Sequence, residues 1–271
     1  MKLAWDETGE RLYETGVKNC ALYVYDSINK QYGAGVAWNG ISKISEKPTG
    51  AEAKAIYADD IKYLNLFSAE EFEATINAYM YPEEFEQCDG SAELGTGVTI
   101  GQQNRKTFGL VYKTTLGNDT ENNDYGYKLH IIYGCMAQPS QKEYQTINDS
   151  PEAIDFSWEV KTTPVNVEGF KPTATLIIDS TKTDETKLQT LVDKLYGKNG
   201  TVSYSAKTPE TTNPHTEGLY ERSGSVGSYV YTLTEDTTVD SGKTYYEKTE
   251  TGGETPTLLL PDDIKDILDA A

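Results

Sequence analysis

The clearest pattern in the chain is an alternation that ends near Met80. Phe72, Ala74, Ile76, Ala78 and Met80 share one face of an extended segment, while Glu71, Glu73, Thr75, Asn77 and Tyr79 share the other. This predicts a half-buried strand with an acidic, hydroxyl-rich outer face. A second alternation sets Ile154, Phe156, Trp158 and Val160 against Asp155, Ser157, Glu159 and Lys161. Further strands are expected over 20–25, near 36–45, and over 106–114, 127–135 and 173–178, with a polar hairpin tip across 118–126. Pro82, Glu83 and Glu84 open one or two helical turns, since proline suits a first helical position and carboxylates suit the positive end of the helix dipole. One longer helix is predicted over 183–196. Leu188, Leu191, Val192 and Leu195 recur at helical spacing, Thr183 or Asp184 caps the start, and Gly197 suits the end.

Between these elements the signal changes. Residues 45–60 hold Pro48, Gly50, several alanines and mixed charges, which reads as a long surface loop. Residues 203–255 are rich in threonine, serine and glycine, and read either as a small module of two or three short strands or as a disordered insert. The organisation expected is a core domain over 1–202 with an N-terminal arm at 1–17, the 203–255 insertion, and a segment 256–271 that returns to the core. Pro261 starts a short helix in that last segment.

Composition narrows the picture. A chain of 271 residues with 37% hydrophobic residues and 20 tyrosines can bury a sizeable core in one or two domains. Tyrosine, threonine and valine favour sheet. The formal charge of −19 argues against a nucleic-acid binder, because such affinity comes mainly from cations that neutralise phosphates. An acidic surface either keeps DNA from sticking or simply keeps the protein soluble. Cys20, Cys88 and Cys135 are odd in number and lack CxxC spacing, so free thiols are expected rather than disulfides or zinc. No apolar run approaches a membrane span, and the first residues lack a signal-type apolar stretch, so synthesis and assembly in a cytoplasm are expected.

Catalytic grammar is thin. His130 lies in an alternating strand and reads as structural, and His215 lies in a polar stretch. The Gly95-Thr-Gly-Val-Thr-Ile-Gly101 run lacks nucleotide-fingerprint spacing, and the acidic 119–124 segment lacks the closing glutamate of a calcium loop. Acidic pairs are abundant, but none is singled out for glycoside hydrolysis. The expectation is no enzyme, no cofactor and no metal; a carbohydrate-active enzyme stays open as a competitor.

Several blocks together carry a family resemblance. They are 5–17, Gly35-Val-Ala-Trp-Asn-Gly40, 57–90, 99–112, Tyr127-Lys-Leu-His-Ile-Ile-Tyr-Gly134, 147–165 and 170–180. In this order the chain resembles the major tail proteins, or tail tube proteins, of long-tailed bacteriophages with non-contractile tails; 203–255 departs from that pattern. The resemblance implies a mainly β fold of two packed, barrel-like sheets with a flanking helix. It implies a structural virion protein that polymerises into stacked hexameric rings, a conduit for DNA delivery. Its implied partners are copies of itself, a tape-measure protein, a tail terminator and baseplate or distal tail proteins; DNA passes without specific binding and no membrane is involved. Glu71, Glu73, Asn77, Asp155 and Glu159 are expected to face the lumen. The 45–60 loop, through Glu46, Lys47, Pro48, Glu52, Lys54, Tyr57, Asp59 and Asp60, is expected to join one ring to the next, and the 203–255 module to point outward. Another β-rich decoration or adhesion protein of a virion, or the tube of a contractile tail or tail-like particle, are the alternatives.

Overall fold

Antiparallel strands dominate the computed structural model, which describes every residue except 1, 2, 4, 145, 148, 150–152, 227 and 271. Parts of the expected 1–17 arm and of the 147–165 block therefore lie outside the described residues. Strand makes up 47% and helix 11%. The chain forms two units: 1–196 with 255–271, and 197–254.

The first unit runs β1 (Tyr13–Asp26), β2 (Gln31–Tyr32), β3 (Val36–Trp38), β4 (Ile41–Gly50), β5 (Ala53–Ala58), β6 (Ile61–Phe67) and β7 (Glu70–Ala78). A 3-10 turn (Glu83–Phe85) leads into α1 (Glu86–Asp89), then β8 (Ala92–Gly95), β9 (Val98–Ile100), β10 (Phe108–Asn118), β11 (Asn122–Ala137), β12 (Phe156–Thr162), β13 (Thr175–Asp179) and α2 (Glu185–Tyr196). After the second unit, α3 (Pro261–Asp269) closes the described chain. A nine-stranded sheet follows the order β2-β1-β10-β11-β12-β7-β4, with β3 added on β1 and β13 on β11.

Strand β11 changes partner part-way along. Its residues Lys128–Ile132 pair with β13, whereas Cys135–Ala137 pair with β12. Gly134 sits between the two ladders with φ +60°, a region that only glycine enters freely. A side chain there would meet the Thr163 carbonyl oxygen at 2.1 Å. The change of partner lets β12, β7 and β4 fold over one face of β1, β10 and β11. Leu22, Leu110 and Ile132 then pack with Ile76, Trp158 and Val160 in the first core. Phe85 from the turn enters this core, with ring centroids 4.4 Å from Trp38 and 5.0 Å from Trp158.

The opposite face of β10 and β11 makes a second core. Val111, Leu129 and Ile131 pack beneath Leu188, Leu191 and Leu195 of α2 and Ile264 of α3. The helix starts as expected: Asp184 Oδ1 accepts from the Thr186 and Lys187 amides at 3.0 and 3.1 Å. Gly197, at φ +79°, follows its end. Two buried phenols fasten this layer. Tyr23 donates to the Leu195 carbonyl, and Tyr133 donates to the Leu259 carbonyl at 2.9 Å.

Several boundaries differ from expectation. The 72–80 alternation holds through Ala78, but Met80 is exposed; its carbonyl accepts from the Trp38 indole at 2.9 Å instead. The 36–45 segment divides at Asn39 and Gly40 into β3 and β4. Strand β1 already begins at Tyr13, and residues 9–11 lie against the β10–β11 tip: the Gly9 amide donates to Asp119 Oδ1 at 2.9 Å and Arg11 lies 3.8 Å from Asp119. The acidic 119–124 tip thus holds the chain's own N-terminal segment. No closed barrel forms among the described residues, because the ladder stops at β4 on one side and at β2 and β3 on the other.

The second unit is a four-stranded antiparallel sheet, β14 (Thr201–Lys207), β15 (Tyr220–Ser223), β16 (Val230–Leu233) and β17 (Tyr245–Thr251), in the order β14-β17-β15-β16. Stacked tyrosines stiffen it, with Tyr204 and Tyr231 rings 3.9 Å apart. Lys198 and Glu254 exchange two backbone hydrogen bonds of 2.9 Å at its entry and exit.

Replacing Gly134 by alanine combines left-handed strain with a backbone clash. It is expected to destabilise the first unit by about 2 kcal/mol or more, read from urea denaturation. Gly169→Ala, also at positive φ but with open space around it, is the milder control.

Candidate assembly interface

The expected 45–60 loop is a paired ribbon. β4 pairs with β7 from Ile41 opposite Ala78 to Gly50 opposite Glu70. The same register resumes with Ala53 opposite Phe67, so β5 and β6 prolong the ribbon past a break. Gly50 and Ala51, at φ +82° and +53°, make that break. Pro48 is tolerated because β4 is an edge strand, where a missing amide donor leaves no ladder bond unmade. Loop-like composition therefore hid a strand whose partner lies more than twenty residues away in the chain. Lys47 and Pro48 belong to β4, Glu52 to the break, Lys54 and Tyr57 to β5. Asp59 and Asp60, both at positive φ, form the two-residue turn.

Beyond the break the ribbon has no third strand among the described residues. The two-stranded β5–β6 sheet exposes Tyr57, Ile61, Tyr63, Leu66 and Phe67, each more than half accessible. A lone two-stranded hairpin is marginally stable in water, and apolar side chains on an unpaired edge invite another chain. The β8–β9 hairpin is a smaller case, with Leu94 and Val98 exposed. The 61–67 apolar run just after the paired aspartates carried this signal, but it lay outside the expected loop.

The expected lumen residues are brought onto one face. Glu71, Glu73 and Asn77 of β7 lie beside Glu159 of β12, and Asp155 accepts a hydrogen bond from Asn77 Nδ2 at 3.3 Å. Pairing also brings Lys43 opposite Asn77, Lys47 opposite Glu73, and Lys161 opposite Glu73 on its other side. Lys161 Nζ lies 3.2 Å from Glu73. The face holds four carboxylates and three lysines, so the acidic wall expected from single strands is in fact a wall of mixed charge. The lysines come from neighbouring strands, and only the cross-strand register places them among the acids.

Glu46 does not belong to an outer loop. From β4 it pairs with buried Ala74 and, though still partly exposed, accepts a hydrogen bond from the Tyr112 hydroxyl. His130 stacks on Tyr112 with centroids 4.7 Å apart. Its Nδ1 lies 3.3 Å from Glu46 Oε1, off the line of a hydrogen bond, and its Nε2 lies 3.3 Å from Glu14 Oε1. Thr114 Oγ1 is 2.9 Å from Nε2 and donates to Glu14, and Lys128 Nζ donates to Glu14 at 2.6 Å. The cluster ties β4 to β1, β10 and β11. Contact with His130 comes first in holding the Glu46 carboxyl below its ordinary value of 4.5; burial opposes this and the Tyr112 hydroxyl adds to it. Burial pulls Glu14 upward, but Lys128 and Thr114 outweigh it and the net shift is down. Burial, then Glu46, pushes the Tyr112 phenol far above its usual range.

The three cysteines are buried free thiols, and burial raises each thiol's pKa. Among the described residues no group of three or more His, Cys, Asp or Glu side chains is placed to hold a metal ion, and no helix is long and apolar enough to cross a membrane. No protein-family model matches the chain, and no curated protein matches it.

The two depressed carboxyls define a pH dependence. Their stabilisation is complete above about their unfolded value of 4.5 and is lost as pH falls through the lower folded values. Glu46→Gln is expected to flatten the acid limb of a stability–pH curve below 4.5, checked by urea melts across that range.

Proposed function

We propose that this chain is a structural, non-enzymatic protein that polymerises into stacked rings, as the resemblance to phage tail tube proteins implies, forming a tube through which DNA passes. The observation that carries the reading is the β5–β6 hairpin: an apolar, two-stranded projection continuous in register with an edge strand of the main sheet. Such a projection calls for a partner surface. Covering about five of its large side chains is worth roughly 10 kcal/mol at about 2 kcal/mol each. Association itself costs about 4–15 kcal/mol. One hairpin contact is therefore marginal, and a closed ring, where every copy both gives and receives contacts, makes it persistent.

The open ladder fits the same reading. A sheet that ends at β4 on one side and at β2 and β3 on the other leaves backbone donors and acceptors that copies in a ring would pair, closing across subunits the barrel that one chain leaves open. The β4–β7–β12 face is the candidate lumen wall. Its carboxylates and lysines sit side by side, four against three, with Lys161 engaged by Glu73, so phosphates meet a hydrated surface of low net charge. A virion tail would be the resulting location, with assembly in the host cytoplasm, and tape-measure, terminator and baseplate proteins as partners.

Purified wild-type protein, concentrated and imaged by negative stain, is expected to give tubes. Tyr57→Ser combined with Phe67→Ser is expected to leave the melting profile unchanged and to raise the critical concentration for polymerisation at least about tenfold, equivalent to about 1.4 kcal/mol per contact. Persistent folded monomers from the wild-type chain, alone and with its assembly partners, or turnover of an oligosaccharide panel, would reject the reading.

A further inference from the structure

The like-charged pair on β1 and β10 is unusual in so acidic a chain. Lys18 stands directly opposite Lys113 between two register shifts. Like charges directly opposite on a sheet are destabilising. Neither lysine lies within ion-pair distance of a carboxylate among the described residues. Lys113 is half-buried, its ammonium 4.4 Å from the Tyr127 ring centroid and 5.0 Å from that of Tyr196. Burial, then the Lys18 charge, lowers the Lys113 pKa from its ordinary value.

Lys18 and Tyr196 are among the residues lining a cleft of about 530 Å³; Lys113 does not line it but adjoins it through its contact with the Tyr196 ring. The lining is largely apolar, with Val17, Val36, Trp38, Ile41, Leu195 and Pro256. The site thus sets two lysines without carboxylate partners beside an apolar trough. The β5–β6 hairpin has the complementary order. Asp59 and Asp60 are exposed at its tip, and Tyr57 and Ile61 flank them as exposed apolar side chains.

We infer that the cleft lined by Lys18, beside Lys113, in one copy receives the Asp59–Asp60 hairpin tip of another copy of this chain. The inference rests on the self-assembly reading and specifies where its hairpin lands. The aspartates neutralise the facing lysines, and Tyr57 and Ile61 enter the trough. Hairpin and cleft are different surfaces, so the contact is head-to-tail and propagates from copy to copy.

Charge reversal tests it in the full chain. Lys18→Glu removes the like-charge pair and gives Lys113 a carboxylate, so the folded protein should melt no lower than wild type. Its critical concentration for polymerisation should rise about tenfold or more, as should that of Asp59→Lys with Asp60→Lys. Combining the two sets should restore assembly toward the wild-type level. A second measurement uses Lys18→Cys with Asp60→Cys: mild oxidation of polymerised material should give a covalent ladder on a denaturing gel, absent from either single variant. Wild-type-like assembly by Lys18→Glu, a combined variant no better than its parents, or no ladder from polymers overturns the inference. If Tyr57→Ser with Phe67→Ser still blocks assembly in that case, the hairpin docks elsewhere and the tube reading survives. If wild type forms no polymer, both fall.

Discussion

The partner change at Gly134 is the constraint on which the rest of the first unit depends. A strand that kept β13 as its neighbour throughout would carry a flat, open sheet with one covered face. By exchanging β13 for β12 within a few residues, β11 serves both cores. The residue at the exchange must approach the Thr163 backbone more closely than any side chain allows. The helices then cover one side, and the β12–β7–β4 layer covers the other. That layer is also what presents the mixed-charge face and the projecting hairpin.

A carboxylate on β4 serves the same end. Glu46 reaches Tyr112 and His130 from β4, while Glu14 reaches the same imidazole from β1. Strands at opposite ends of the ladder are thereby joined through side chains where no backbone bond joins them. The cluster is sensitive to the loss of its carboxylates, because the buried His130 and Tyr112 side chains then lose those partners.

Much of this fold was legible in the sequence. The parity of Phe72 to Ala78 and of Phe156 to Val160 identified which residues are buried, because each strand has one wet face. Helix α2 was legible from its leucine spacing and its aspartate cap. What escaped depends on a partner distant in sequence. Residues 45–50 have loop composition, yet β7, twenty or more residues on, provides their ladder. Glu46 was expected in the 45–60 loop; its reach to Tyr112 and His130 follows only from its register opposite Ala74. The lysines on the outer face were visible individually, but their placement among the glutamates follows only from three strands in register. His130 was read as structural; the two glutamates that flank it come from 116 and 84 residues upstream, beyond any local pattern.

The paired backbone bonds between Lys198 and Glu254 carry a further consequence. A module whose two ends are held side by side occupies no more of its host's contour than a tight turn. Gene exchange at this point can add, swap or discard a whole sheet while leaving the host's strand order intact.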